Sequence, residues 1–291
     1  MRRVVTVSAG ATEKPADRPE TTPSPPRWLV RFGYDGTSFR GWARQPGART
    51  IEGEILRALL GRRHPGDSLQ PSLEVASRTD RGVSARANAL SLRSPLSGPT
   101  LLRRLNGIAP EIRFLAATPV TEDFRVRAAT RRTYRYFDPR PVRDMRRREN
   151  AAALLTGSID ARSFGRGLAA GAPVWRTVET VASRPVDGGA VIEVRAPSFV
   201  WGMVRKMVTA LREIDAGRLS PERLRAAVEG SGLLALPLAE PEPLVLWDVE
   251  FPVPWTFRWS GPNRGQAAAR ERAVSGLWSR RQVLEALATD P

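Results

Sequence analysis

The segment "SRTDRGVSAR" sets Asp80 among Arg78, Arg81 and Arg86. One carboxylate among guanidinium groups has two readings. Asp followed by Arg-Gly is turn chemistry, and a surface turn of balanced charge would use these residues. Alternatively, neighbouring cations keep a reactive carboxylate ionised in an electropositive cleft. Three further segments bear on the choice. "YDGTSFRGWARQ" (34–45) joins turn residues to aromatics at a strand end. "TRRTYRYF" (130–137) interleaves arginines with Tyr134, Tyr136 and Phe137, a composition suited to stacking on bases. "FVWGMVRKMV" (199–208) places Arg205 and Lys206 on a helix of Met and Val, where a guanidinium serves a carboxylate or a phosphate. Each also has a plainer reading: Tyr134 as strand core, Arg205 as a partner for helix C-terminal carbonyls.

Absent residues narrow the chemistry. The chain of 291 residues has no cysteine, which excludes disulfides, zinc thiolate sites and Cys nucleophiles. Its single histidine, His64, lies in the loop-like "GRRHPGDS", so multi-His metal sites cannot form. Chemistry must therefore run on carboxylate, Tyr, Ser/Thr or Arg. The formal charge of +16 favours a polyanionic partner, and nucleic acid is the first candidate. Lys14 and Lys206 are the only lysines. Planar guanidinium suits RNA, although a GC-rich genome would produce the same bias. No apolar run is long enough to span a bilayer, and no basic amphipathic membrane helix or signal peptide stands out. The expectation is a cytoplasmic protein.

The elements that must position these residues can be read from periodicity. Residues 1–26, rich in Pro and Thr near their end, form a disordered arm. Trp28, Val30 and Phe32 alternate as on a strand, and Thr50 caps a helix with the stripe Ile51, Ile55 and Leu59. Strands are expected near 73–77, 88–93 and 112–118, with a short helix at 100–106. "RTYRYFD" follows as a strand and "ENAAALLTG" as a helix. "VWRTVETVASR" and "AVIEVRA" form a hairpin through "VDGG". The longest helix runs through "FVWGMVRKMVTALREIDAG" with Phe199, Met203, Met207, Ala210, Leu211 and Ile214 inward, then "PERLRAAVEG" and the strand "LVLWDVEF". Linkers too short for many crossover helices point to an α+β design of two halves, with antiparallel sheets flanked by helices. The halves are taken as 27–127 and 128–254, followed by an extension, 255–291, whose basic helix packs back through Val274, Leu277 and Trp278.

Taken together the motifs resemble the tRNA pseudouridine synthase A family. Its opening Tyr-Asp-Gly-Thr-x-Phe-x-Gly-Trp stands here as Tyr34, Asp35, Gly36, Thr37, Phe39, Gly41 and Trp42. Its Arg-Thr-Asp-x-Gly-Val is Arg78, Thr79, Asp80, Gly82 and Val83. Its Arg-x-Tyr-Arg-Tyr is Arg132, Tyr134, Arg135 and Tyr136, and its Met-Val-Arg is Met203, Val204 and Arg205. The match runs from about Trp28 to Phe251 in the family's order. Ser77, Arg81 and Ser84 at the variable places look like the archaeal and eukaryotic branch. The family's Pro-Thr-Ala-Pro-Ala-x-Gly-Leu segment is eroded to "LPLAEPEPLVL".

The resemblance implies two pseudo-related halves with an RNA-binding active-site cleft between them, and isomerisation of uridine to pseudouridine in the anticodon arm of tRNA. It implies no cofactor and no metal, a homodimer, and a target base flipped out of its stack. Asp80 would be the nucleophile or the group that starts glycosidic cleavage. Arg205 would pair with and orient Asp80, and Tyr134 would stack on the uracil. Arg40, Arg78, Arg81, Arg132 and Lys206 would hold the RNA. The competing reading is a non-catalytic RNA-binding or RNA-chaperone protein on the same scaffold. A metal-dependent nuclease using Asp35 and Asp80 is more distant.

Overall fold

The computed structural model describes residues 24–60, 73–108, 111–168, 174–261, 271 and 274–277. His64, Lys14, Trp278 and residues 1–23 of the expected arm lie outside them.

The alternation from Trp28 onward builds β1 (Arg27–Tyr34), whose Trp28, Val30, Phe32 and Tyr34 are buried. Thr50 starts α1 (Ile51–Leu60), its Oγ1 accepting the Gly53 amide at 3.2 Å. β2 (Glu74–Val75) is only two residues long, and β3 (Ser84–Arg93) begins directly after the Asp80 turn. α2 (Gly98–Ile108) and β4 (Ile112–Val120) follow. Next come β5 (Arg131–Asp138), α3 (Met145–Leu154), β6 (Gly157–Asp160) and β7 (Trp175–Val178). β8 (Thr180–Val186) and β9 (Gly189–Ala196) form the expected hairpin. α4 (Met203–Asp215), α5 (Pro221–Val228), β10 (Leu244–Glu250) and β11 (Phe257–Arg258) complete the described elements.

The antiparallel α+β expectation holds, realised as one continuous sheet. Its nine strands run β11-β4-β1-β3-β10-β5-β9-β8, with β2 beside β3. Every pairing is antiparallel except β3 with β10. Strand β10 therefore closes the middle of the sheet, between β3 and β5. The edge of β3 is divided: β10 pairs Ser84 and Ala85, β2 pairs Leu90 and Ser91, and residues 76–83 emerge between them. A single apolar cluster runs from Trp28 through Tyr134 to Val249.

The structure corrects four local readings. Residues 175–186 are two strands, because the chain changes partner at Glu179: β7 pairs β6 in a small separate sheet, and β8 pairs β9. Glu179 is held at this switch by Arg131 and by its amide bond to the Arg195 carbonyl. The long helix starts at Met203 rather than Phe199, because Gly202 takes φ +79°, a left-handed conformation no right-handed helix contains. The sheet continues past Pro254, where β11 pairs β4 and the Thr118 and Thr256 hydroxyls meet at 2.8 Å. Val274 and Leu277 are exposed, so the described part of the last helix does not pack inward through them.

Behind the sheet centre lies a buried ionic cluster. Arg148 of α3 contacts Asp138 and Asp215, each at 3.3 Å. Arg212 of α4 donates to Asp138 at 2.9 Å, to Glu240 at 2.6 Å and to the Tyr136 hydroxyl at 3.0 Å. The Arg212 hydrogen bond is the main reason the Glu240 carboxyl is held down to about 2. Asp215 also accepts the amides of Arg143 and Asp144, fixing the entry to α3. Removing one partner of a buried pair strands the other charge. Asp215→Ala should therefore lower the free energy of unfolding by about 3–5 kcal/mol in urea titration.

Candidate active site

The 76–83 loop is shaped by the segment around Gly36 and Trp42. The Trp42 amide donates to the Thr79 carbonyl at 3.1 Å, and the Tyr34 and Thr79 hydroxyls meet at 2.7 Å. Gly41, at φ +93°, lies against the loop so closely that a Cβ would stand 3.0 Å from the Thr79 oxygen and 3.2 Å from the Asp80 carbonyl carbon. Gly36 is packed on the Val83 carbonyl, where a Cβ would come within 2.1 Å. The Asp-Arg-Gly turn closes with the Val83 amide donating to the Asp80 carbonyl at 3.2 Å, and Gly82 supplies φ +82°. The turn reading of this segment was correct, and the turn is what presents the carboxylate.

On the other side of the loop, α4 delivers Arg205. Its Nη1 donates to Asp80 Oδ2 at 2.9 Å and its Nε to the Ala239 carbonyl at 2.6 Å. One guanidinium thus orients the carboxylate and ties down the 237–244 segment. The contact runs through the Ala239 backbone, so it does not depend on the side chains of that segment. The indole of Trp201 donates to Asp80 Oδ1 at 2.8 Å, so both carboxylate oxygens are engaged. The Asp80 side chain is 26% exposed, against 13% for Arg205.

These groups line a cleft of about 1040 Å³. Its lining includes seven arginines, and Asp80 is the one acid there among the described residues. Arg40, Arg78 and Arg81 are exposed at the cleft. Arg127 and Arg166, which the sequence reading did not single out, join them. Tyr134 is buried in the wall, its ring 5.3 Å from Phe199 and edge-on to it. Burial pushes its phenol up to about 12, partly offset by a hydrogen bond with Ser77, so it is neutral near pH 7.

Two expected RNA contacts are corrected. Arg132 is buried, and its donors are consumed internally: Nη2 by the Ala76 carbonyl at 3.0 Å and the Arg127 carbonyl at 2.8 Å, Nε by Ser77 Oγ at 3.1 Å, and Nη1 by the Pro197 carbonyl. Burial lowers its pKa. Its place is the split in the sheet, where it pins the base of the Asp80 loop. Lys206 donates to the Ser163 and Gly165 carbonyls, each at 3.1 Å, and holds that turn. Arg86 also leaves the cleft: it stacks 4.6 Å from the Trp247 ring, which Arg135 covers at 3.9 Å on the face of β5 opposite Tyr134. Trp201 was missed because it lies outside α4, before the Gly202 turn, where helical spacing gives no signal. Among the described residues no group of three or more His, Cys, Asp or Glu side chains could hold a metal ion.

A family model described as tRNA pseudouridine synthase matches residues 151–252. The chain is 36% identical over 264 residues to the tRNA pseudouridine synthase A of Thermococcus kodakarensis, covering 90% of this chain and 97% of that one. It is 36% identical over 228 residues to the enzyme of that name from Thermococcus gammatolerans (77% and 84% covered). The one from Methanosphaerula palustris is 34% identical over 267 residues (88% and 94% covered).

Because Gly41 combines a positive φ with backbone contact to the Asp80 loop, an added methyl cannot be absorbed by a side-chain shift. Gly41→Ala should cost about 1–3 kcal/mol of stability by denaturant titration. Gly47→Ala, with a positive φ but open space around it, isolates the conformational part of that cost and should lose less.

Proposed function

The chain belongs to the tRNA pseudouridine synthase family, and we propose that it isomerises uridines in the anticodon arm of tRNA with Asp80 as the carboxylate that starts the reaction. The observation that carries this reading is the position of Asp80, the one acid of an arginine-lined cleft, gripped by Arg205 at 2.9 Å. Pseudouridine formation breaks the bond between uracil N1 and the ribose C1′ and forms one from C5 to C1′. The C5 proton leaves to solvent and N1 gains one. Atoms and electrons balance within the nucleotide, so the step calls for neither an oxidant nor a cofactor. It does call for an ionised carboxylate with a lone pair aimed at the nucleotide, and for exclusion of bulk water while the base turns.

In this reading Arg205 orients Asp80, and Tyr134, neutral and rigid in the cleft wall, offers its ring to the flipped uracil. Arg40, Arg78 and Arg81 hold the phosphates on either side, which positions RNA without reading its bases. A cytoplasmic homodimer is the form the family resemblance assigns to the working enzyme.

Tritium release from tRNA carrying 5-tritiated uridine tests the role of Asp80. Wild-type protein should release tritium, and Asp80→Asn should release none above background while binding tRNA with wild-type affinity. Equal release by both would remove Asp80 from the chemistry; binding by both with no release from either would favour the RNA-binding reading. For the exposed cations, Arg81→Ala should weaken tRNA binding uniformly across tRNA sequences. It should also lower the slope of log affinity against log salt by about one, as read by filter binding between 50 and 200 mM salt.

A further inference from the structure

The two hydrogen bonds to Asp80 differ in kind. Arg205 donates a charge-assisted bond to Oδ2, while Trp201 donates a neutral indole N–H to Oδ1. The indole is 56% exposed, yet it is held from several directions. The Arg166 guanidinium lies 4.9 Å over its ring, and the Arg166 amide donates to the Trp201 carbonyl at 3.0 Å. Gly167, at φ +63°, faces the ring, and a Cβ there would lie 3.7 Å from it. On the C-terminal side, Gly202 turns the chain directly into α4. A large aromatic is thus fixed at the mouth of the cleft with its one polar atom on the candidate nucleophile.

We propose that Trp201 is a positioning residue for Asp80, fixing the plane of its carboxylate and leaving Oδ1 as the reacting oxygen. The proposal rests on the reaction assigned above. A carboxylate turns broadly about its last side-chain torsion, both oxygens moving together, so the single bendable hydrogen bond from Arg205 leaves it free to rock. A second donor on the other oxygen stops that rotation. Each carboxylate oxygen has two acceptor sites, so an indole on one site of Oδ1 leaves the second for the nucleotide. Oδ2 is the costlier oxygen to free, because its partner is charged. Trp201 acts on the nucleotide only through the Asp80 carboxylate, so its effect falls on turnover rather than on RNA affinity.

The test uses the full chain and tRNA substrate. Trp201→Phe keeps an aromatic ring at an exposed site and removes the N–H together with the five-membered ring that carries it, so the fold is retained. It should lower kcat about tenfold with KM within about twofold of wild type. A spectroscopic readout follows the contact without turnover. Of the eight tryptophan indole N–H signals, the one missing in Trp201→Phe should lie downfield, and it should move upfield in Asp80→Ala. Unchanged kcat in Trp201→Phe, a loss carried by KM, or an indole signal indifferent to Asp80→Ala would each overturn the positioning role while wild-type turnover leaves the reaction standing. A wild-type protein that forms no pseudouridine would overturn the reaction and this role together.

Discussion

One edge of strand β3 is covered by β1, and the other has two partners. β10 takes the edge at Ser84 and Ala85 and β2 takes it at Leu90 and Ser91, so the residues between must leave the sheet. An unpaired stretch of buried sheet edge would leave backbone groups without partners, at a cost of about 1–3 kcal/mol each. The protein fills the gap with side chains and with the base of the loop itself. The Ala76 amide donates to the Ala89 carbonyl at 2.9 Å, and Asn88 Nδ2 donates to the Ser77 carbonyl at 2.8 Å. The Ala76 carbonyl takes the Arg132 guanidinium. These contacts root the loop so firmly that its tip, four residues further on, has a defined place. The position of the Asp80 carboxylate is a consequence of how the sheet is split.

Helix α4 connects that tip to the core. Its N-terminal turn carries Arg205, which grips Asp80 and the Ala239 carbonyl; two turns later Arg212 grips Asp138, Tyr136 and Glu240. Residues 239 and 240 are thereby held from both points on the same helix. Met203, Met207, Ala210, Leu211 and Ile214 bury the apolar face of α4, so the two arginines cannot shift independently. Position at the cleft is thus inherited from an ionic cluster more than one helical turn away. The network is only partly satisfied: Asp138 Oδ2 and Arg148 Nη1 face each other at 3.3 Å without hydrogen-bond geometry.

Local patterns were legible where one element decides the outcome. The Thr50 cap, the Asp-Arg-Gly turn, the β8–β9 hairpin and the inner stripe of α4 follow from residue type and period alone. The pairing of Asp80 with Arg205 was legible only through the order of the motifs, because 125 residues separate them. What failed to show was orientation. Arg132 and Arg135 differ by an odd step on one strand, so one is buried at the sheet split and the other faces Glu193 and Trp247. Composition counts both as basic and cannot say which side faces RNA. Lys206 was misread for a related reason: adjacent to Arg205, it points about a quarter turn round the helix, toward the Ser163 and Gly165 carbonyls.

The near-absence of lysine also acquires a physical side. A GC-rich genome would produce the same abundance of arginine on the surface, but the interior positions use what only guanidinium offers. Arg205 spans two acceptors on different segments with Nε and Nη1. Arg132 satisfies backbone carbonyls of Ala76, Arg127 and Pro197 in one plane, and Arg212 reaches two carboxylates and a phenol. An ammonium group is a compact, strongly hydrated point charge that cannot hold acceptors so far apart, and burying it costs more. Lys206 occupies the one such place where two neighbouring carbonyls suffice, and burial lowers its pKa. The geometry of the acceptors around Asp80 is what distinguishes these arginines from those on the surface.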